Sequence, residues 1–238
     1  MRKYINELTL IFWIYKAQEY TDKKKLSKIN FQLIVLLYFC KQLNWHFMKL
    51  KIITSTNRSG AQGRIVADWI YEYAKGNSDF EVELLDLAEI NLPFMDEPNH
   101  PKLKQYKFEH TKKWSKTIED ADAFIIVLAE YNYGFPAPIK NAIDYLHDEW
   151  KYKPVGFVSY GGVSAGLRAV QMLKQVLTTL SMMPLTEQVN LPFFSKNIQD
   201  GKFIPNDSAI RSADVMLEEL KKWTESMRQI RVKEAETV

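Results

Sequence analysis

The feature that most constrains the fold is an unbroken run of seven apolar residues, Ala123–Ala129. A strand that is apolar on both faces is typical of the centre of a parallel sheet, because helices cover both sides of such a sheet. Strand and helix patterns alternate on either side of this run, which favours a doubly wound α/β sheet with helices on both faces. A length of about 190 residues suits five strands in the order 2-1-3-4-5.

The other elements are predicted from apolar periodicity and from the positions of Gly and Pro. The five predicted strands are residues 50–55, 80–86, 123–129, 154–160 and 185–189. The predicted helices are residues 62–75, 102–120, 136 to about 150, 165–181 and 208–231. Asp86 ends the second strand, and we expect it to be a surface carboxylate.

Residues 1–47 differ in composition from the rest of the chain. They contain no Gly or Pro and carry a net charge of +5, whereas residues 48–238 carry −2. Their apolar runs, residues 8–15 and 29–40, fall short of the ~20 residues that span a bilayer, and no small-residue cleavage site follows the first run. We therefore expect an N-terminal extension outside the fold, without membrane contact, and a folded domain at 48–238 whose natural start is Met48.

Composition also limits which cellular compartment and which partners we expect for this protein. The single cysteine, Cys40, excludes a disulfide scaffold and a Cys-rich zinc site, and it favours a reducing compartment such as the cytoplasm. Residues 48–238 are nearly neutral, so the sequence does not show the excess of basic residues that is typical of nucleic-acid-binding domains. His100, His110 and His147 lack the spacing of metal ligands, so we expect no metal site.

A ligand of such a sheet binds beyond the carboxyl ends of the strands, here at the loops after strands 1, 3 and 4. The first loop, residues 55–63, combines hydroxyl groups, glycines and one arginine at a helix N-terminus, which suits a phosphate. The second loop, residues 130–136, has aromatic residues, a glycine and an amide, which suit a flat heteroaromatic ring. The third loop, residues 159–166, has adjacent glycines that let the backbone approach a ligand closely.

The third loop also contains a motif with a different meaning. Residues 162–166 fit the Gly-x-Ser-x-Gly nucleophile elbow of hydrolases. Such a hydrolase needs its histidine after the nucleophile, whereas the last histidine, His147, precedes Ser164. The sequence therefore argues against a serine hydrolase.

Taken together, the loops resemble those of the NAD(P)H-dependent FMN reductase family, which has a flavodoxin-like fold. Three stretches carry the resemblance: Thr56, Arg58 and Gly60 of the first loop; Glu130-Tyr131-Asn132 with residues 138–144; and residues 157–162. The similarity extends from Lys49 to about Met227. The chain departs from the family where Ala129 replaces a proline and where Ser55-Thr56 replaces Gly-Ser.

The resemblance implies an oxidoreductase that binds FMN and takes hydride from NADPH or NADH, with no catalytic side chain because the chemistry occurs on FMN. The implied electron acceptors are small molecules such as flavins, quinones or azo compounds, and the implied assembly is a homodimer or homotetramer. The implied FMN-binding residues are Ser55, Thr56, Arg58, Gln62 and Gly63 for the phosphate, with Glu130, Tyr131, Asn132, Tyr133, Ser159, Tyr160, Gly161 and Gly162 for the ring.

Two other classes stay open at this point. The first is an FMN-binding electron carrier or redox-responsive partner protein without NAD(P)H turnover. The second is a nucleotide-binding regulator whose basic N-terminal segment docks a partner or a membrane. Oxidation of NAD(P)H in the presence of FMN would distinguish the reductase from the electron carrier. Deletion of residues 1–47 would distinguish it from the regulator.

Overall fold

The computed structural model describes residues 48–235 and builds them around one parallel sheet. The strands of this sheet are β1 (Met48–Thr54), β2 (Phe80–Leu85), β3 (Ala123–Ala129), β4 (Pro154–Gly161), β5 (Met183–Pro184) and β6 (Val189–Pro192). They lie in the order β2-β1-β3-β4-β5, with β6 also paired to β4. The predicted order 2-1-3-4-5 is confirmed. The predicted extension, residues 1–47, lies outside the described residues.

Helices cover both faces of the sheet. The α-helices of residues 48–235 are α1 (Gly63–Asn77), α2 (Leu87–Ile90), α3 (Glu109–Glu119), α4 (Ala137–Asp144), α5 (Leu167–Thr179) and α6 (Asp207–Ala235). The apolar residues of α1 and α6 pack on one face, and those of α3, α4 and α5 pack on the other. A small antiparallel pair, β7 (Ile198–Gln199) and β8 (Lys202–Phe203), precedes α6. In this part of the chain, no helix is both long and apolar enough to cross a membrane.

The strand β3 has the predicted bounds and is buried along its whole length. Because side chains alternate along a strand, Ile125 and Val127 join the core under α1 and α6, whereas Phe124 and Ile126 join the core under α3 to α5. Burial of each large apolar side chain contributes about 1.5–3 kcal/mol. The strand therefore holds the two helical layers together and fixes the centre of the sheet.

The predicted fifth strand, residues 185–189, differs from the structure. Two short strands, β5 and β6, lie beside β4 instead, and residues 185–188 separate them. The side chain of Lys174 in α5 donates to the carbonyl of Leu185 at 2.6 Å, so a side chain satisfies this backbone group. Periodicity alone does not reveal this contact.

The predicted helix at residues 102–120 is shorter in the structure. A 3-10 turn at Pro101–Leu103 comes first, and α3 begins only at Glu109. The carboxylate of Glu97 accepts the backbone N–H groups of Lys107 and Phe108, at 2.8 and 3.0 Å, which holds the chain outside a helix there. The helix predicted to reach about residue 150 is also shorter in the structure, where α4 ends at Asp144.

Asp86 is buried, so the prediction of a surface carboxylate is wrong. Its carboxylate accepts hydrogen bonds from the Thr54 hydroxyl, the Ala88 N–H and the Arg64 guanidinium, each at 2.9 Å. Burial pushes the pKa of Asp86 up, but these hydrogen bonds outweigh it and hold the pKa below its usual range. Asp86 thus ties the ends of β1 and β2 to the first turn of α1.

We expect Asp86→Asn to lower the free energy of unfolding by about 1.5–3 kcal/mol, because hydrogen bonds to a buried charge are weakened. The matched control is Asp68→Asn, which loses an exposed ion pair with the same Arg64 and should cost at most about 0.5 kcal/mol. The Asp86 contribution is full above its unfolded pKa of about 3.9 and is lost as the pH falls through the lower folded pKa. Denaturant titrations at several pH values measure both variants, and equal losses at pH 7 would contradict the assignment.

Candidate functional site

The carboxyl ends of β1, β3 and β4 border one cavity of about 190 Å³. All three predicted loops reach it, as the topology requires. Its lining includes six of the predicted site residues, Arg58, Gln62, Glu130, Tyr131, Tyr160 and Gly161, together with Gly60, Ala61, Ala129 and Phe194. The other predicted residues lie in the same loops but outside this lining.

Ser55 and Thr56 are buried at the start of the first loop. The Ser55 hydroxyl accepts the backbone N–H of Ala129 at 3.0 Å, and the Ser55 N–H donates to the carbonyl of Val127 at 3.1 Å. Ser55 therefore joins the first loop to the end of β3. The Thr56 hydroxyl interacts with the phenol of Tyr160 at the end of β4.

Gly63, the first residue of α1, leaves room for the Tyr160 side chain. A Cβ atom at this position would collide with the Tyr160 hydroxyl. Burial raises the pKa of Tyr160 to about 12, so its phenol stays neutral and can donate a hydrogen bond near the first turn of α1. The sequence predicted Gly63 and Tyr160 for different parts of the ligand, whereas the structure puts them in contact.

Arg58 bridges the first and second loops. Its Nε donates to the Tyr131 hydroxyl at 3.1 Å on the exposed rim of the cavity. The terminal guanidinium nitrogens lie beyond this bond and offer a planar pair of donors, the arrangement that binds phosphate oxygens best. The side chain is thus oriented by one loop and available to a ligand at the other.

The second loop makes a tight two-residue turn. Tyr131 and Gly134 exchange both backbone hydrogen bonds, at 2.9 and 3.0 Å. The two residues between them, Asn132 and Tyr133, have positive φ angles of 49° and 72°. Left-handed backbone at a non-glycine residue costs roughly 1–3 kcal/mol and clusters at functional sites. The turn leaves both side chains exposed beside the cavity.

The carboxylate of Glu130 points to the third loop and to α5. It accepts the Ser164 hydroxyl at 3.0 Å and the Arg168 guanidinium at 2.6 Å. Burial pushes the pKa of Glu130 up, but these donors outweigh it and hold the pKa below its usual range. Because the Ser164 hydroxyl donates to a carboxylate and not to a histidine, the geometry gives no support to a serine hydrolase.

The third loop presents mostly backbone. Ser159 is buried and donates to the side chain of Asn190 at 3.0 Å, so its hydroxyl braces β4 against β6. A Cβ atom on Gly161 would lie 3.3 Å from the backbone nitrogen of Gly166. A Cβ atom on Gly162 would meet nothing within 4 Å. A side chain at Gly161 would therefore crowd the backbone of Gly166, whereas Gly162 faces open space.

Phe194, which was not predicted from the sequence, completes the cavity wall. Its ring packs edge-on against Tyr160, with the ring centroids 4.7 Å apart. Phe194 follows β6, and Phe193 donates its backbone N–H to the carbonyl of Gly162 at 3.2 Å. The pair of phenylalanines after β6 is a weak signal, and sequence patterns alone do not connect it to the third loop.

Comparison with known proteins identifies this arrangement. Residues 48–196 match the family model described as NADPH-dependent FMN reductase, which spans more than half of the chain. The chain belongs to the NADPH-dependent FMN reductase family. The resemblance noted from the loop motifs is confirmed, and the protein is an FMN-dependent NAD(P)H oxidoreductase whose cofactors are FMN and NAD(P)H.

Individual relatives agree with this membership. An "NAD(P)H-dependent FMN reductase" of Schizosaccharomyces pombe is 40% identical over 56% of this chain and 68% of its own length. Another of that description, from Nectria sp, is 35% identical over 61% of this chain and 75% of its own length. Among solved structures, a flavoenzyme NAD(P)H:(acceptor) oxidoreductase of Paracoccus denitrificans has a TM-score of 0.62 and 18% identity, covering 76% of this chain and 98% of its own. That likeness supports the fold.

We expect Gly162→Ala to leave the melting temperature of the apoprotein unchanged but to weaken FMN binding. The added methyl group enters open space at a residue without a positive φ, so it strains nothing until a ligand approaches the backbone. Gly76→Ala, where the Cβ also meets nothing, is the control and should keep full FMN affinity. Thermal melts and flavin fluorescence titrations measure both, and unaltered FMN affinity in Gly162→Ala would place the ring elsewhere.

Proposed function

We propose that the cavity between the three loops holds FMN, with the phosphate at the first loop and the isoalloxazine between the second and third loops. The observation that carries the proposal is the convergence of the three loops on one cavity at the carboxyl edge of the sheet. The donor chemistry fits FMN, because a cationic fork, a helix N-terminus, aromatic rings and open backbone occur side by side.

The phosphate end of the proposed site rests on Arg58 and on the N-terminus of α1. This 15-residue helix has no acidic residue in its first turn and no side-chain hydrogen bond at Gln62, its N-cap residue. Its first N–H groups and its dipole favour an anion. We assign Thr56, Arg58, Gln62 and Gly63 to the phosphate, with Ser55 shaping the loop from its buried position.

The ring end rests on the second and third loops. We assign the ring to the space flanked by Tyr131, Asn132, Tyr133, Tyr160, Gly161 and Gly162. Glu130 and Ser159 belong to the same loops, but their side chains bond to protein groups. We therefore propose that these two residues contribute main chain, and that their side chains support the loops.

When bound, FMN supplies a ring that accepts hydride from NAD(P)H and passes electrons to an acceptor, while the protein supplies position and electrostatics. The charged Arg58 would bind the phosphate. The neutral phenol of Tyr160 would hold a proton near the junction of the first and third loops. No side-chain nucleophile is assigned.

We propose small-molecule acceptors, namely flavins, quinones or azo compounds. Four of the ring-side residues, Tyr131, Asn132, Tyr133 and Gly162, are exposed, which leaves a flat acceptor a route to one side of the ring. An "FMN-dependent NADPH-azoreductase" of Staphylococcus aureus is 28% identical over 68% of this chain. The activity that this relative's name states supports including azo compounds among the acceptors tested.

We also propose a homodimer or homotetramer, as the family resemblance implies. A groove of about 760 Å³ lies along α4 and α5 and adjoins the second loop at Phe135. Apolar side chains line it, among them Met95, Met172, Val176 and Leu180. Its continuity with the exposed second loop favours a second copy of the chain as its occupant, and a monomer in analytical ultracentrifugation at micromolar concentration would contradict this.

We expect Arg58→Ala to weaken FMN about tenfold to a hundredfold and to leave riboflavin binding nearly unchanged. Only FMN carries the phosphate, and a charge-assisted hydrogen bond contributes about 1.5–3 kcal/mol. Arg58→Lys is the control and should lose less affinity, because it keeps the charge but not the planar fork. In fluorescence titrations, equal losses for both flavins would move the phosphate away from Arg58.

We expect the FMN-loaded protein to oxidise NADPH or NADH and to reduce a quinone, an azo dye or free FMN. Absorbance at the nicotinamide band measures donor consumption with each acceptor in turn, and protein freed of FMN is the control. Bound FMN without turnover on any donor would favour the electron carrier. Absence of flavin binding would overturn the proposed site.

A further inference from the structure

Glu130 makes a set of contacts that the proposed binding of FMN does not explain. Its carboxylate accepts three hydrogen bonds: the Ser164 hydroxyl at 3.0 Å, the Arg168 backbone N–H at 3.2 Å and the Arg168 guanidinium at 2.6 Å. Ser164 belongs to the third loop and Arg168 to the first turn of α5, whereas Glu130 directly follows β3. One side chain therefore links the second loop to the third.

The helix α5 depends on this link because it has no cap of its own. Its N-cap residue is Gly166, which has a φ of 81° and no side chain to accept a hydrogen bond. A Cβ atom at Gly166 would lie 3.0 Å from the Tyr160 carbonyl, so a capping residue such as Ser or Asp does not fit there. The carboxylate of Glu130 provides the negative charge and the acceptor that a helix N-terminus favours.

Arg168 extends the link to the exposed turn of the second loop. Its guanidinium carbon lies 4.0 Å from the centroid of the Tyr133 ring, the geometry of a cation–π contact. Tyr133 has a positive φ and is 67% exposed, so little else of the protein holds its side chain. Glu130 thus orients Arg168, and Arg168 holds Tyr133.

The charges and the burial suit a fixed arrangement. The Glu130 side chain is only 9% exposed, whereas the Arg168 side chain is 41% exposed at the surface. Removing one partner of a buried ion pair leaves a charge without compensation. The carboxylate is therefore tied to the third loop and to α5 by protein donors.

We propose that Glu130 and Arg168 are positioning residues that set the separation of the second and third loops, and so the gap that receives the isoalloxazine. This inference rests on the proposed FMN site. It also gives the Gly-x-Ser-x-Gly motif a role, because Ser164 adds a third donor to the same carboxylate and Gly166 lets the carboxylate act as the cap of α5.

The test uses three variants, namely Glu130→Gln, Arg168→Gln and the double variant that carries both changes. The control variant is Lys153→Met. Lys153 is a matched control because its ammonium group also caps a helix from another element, bonding the carbonyls of Ile118 and Glu119 at 2.7 and 2.9 Å. It precedes β4, at the opposite end of that strand from the third loop. Lys153→Met should lower stability without moving the loops.

We expect each of the two single variants to weaken the binding of FMN and of riboflavin by the same factor, about tenfold. The reason is that the variants disturb the part of the site that binds the ring, which both flavins share, and not the part that binds the phosphate. The double variant should lose no more than the larger single loss, since the two residues act as a unit. Arg168→Lys should bind both flavins more tightly than Arg168→Gln, because lysine keeps the positive charge. At saturating FMN, the visible circular dichroism of the bound flavin should change in the Gln variants and stay native in Lys153→Met.

Hydrogen exchange of the apoprotein tests the link without flavin. Amides of residues 131–134 and 164–168 should exchange faster in the Gln variants than in wild type, and normally in Lys153→Met. Native exchange in both loops, or additive losses in the double variant, would overturn the positioning role. A loss for FMN alone would mean that the variants disturb the phosphate end of the site, and it would overturn the positioning of the ring. Failure of the wild-type protein to bind flavin would overturn the proposed FMN site. The hydrogen-exchange measurement would then still test whether Glu130 and Arg168 connect the two loops.

Discussion

The burial of β3 between two helical layers is the constraint on which the rest of the structure depends. Alternate side chains of this strand enter the two cores, so neither face can be exposed. A parallel strand in this position forces its neighbours β1 and β4 to end at the same edge. The first, second and third loops therefore meet at one cavity, and the site follows from the packing of a strand that contributes no functional side chain.

Buried contacts hold the backbone of the three loops in place around the cavity. The Asn132-Tyr133 turn adopts left-handed angles that cost free energy unless their surroundings maintain them. Ser55 fixes the first loop to Ala129, and Ser159 fixes the end of β4 to Asn190 of β6. These hydroxyl groups look like ligand donors in the sequence, but they organise the loops from below. Such preorganisation is what a protein contributes when a cofactor carries the chemistry.

Much of this could be predicted from the sequence, because the signals are local. The run Ala123–Ala129 gave the centre of the sheet with its observed bounds, and the three loops follow from the strand order. The break between β5 and β6 could not be predicted, since it depends on Lys174 reaching the Leu185 carbonyl from a neighbouring helix. The burial of Asp86 could not be predicted for the same reason, because it depends on Thr54 and Arg64.

The sequence by itself determined the fold class, the strand order, the family and the three loops that surround the cavity. Only the tertiary structure decided what each side chain in those loops contacts. Glu130 stands beside Tyr131 in a motif that suggests a ligand contact, yet its carboxylate bonds to Arg168, 38 residues further along the chain. The physical reason is that periodicity and composition record which segments are buried, whereas a side-chain hydrogen bond depends on which distant donor the folded chain brings within about 3 Å.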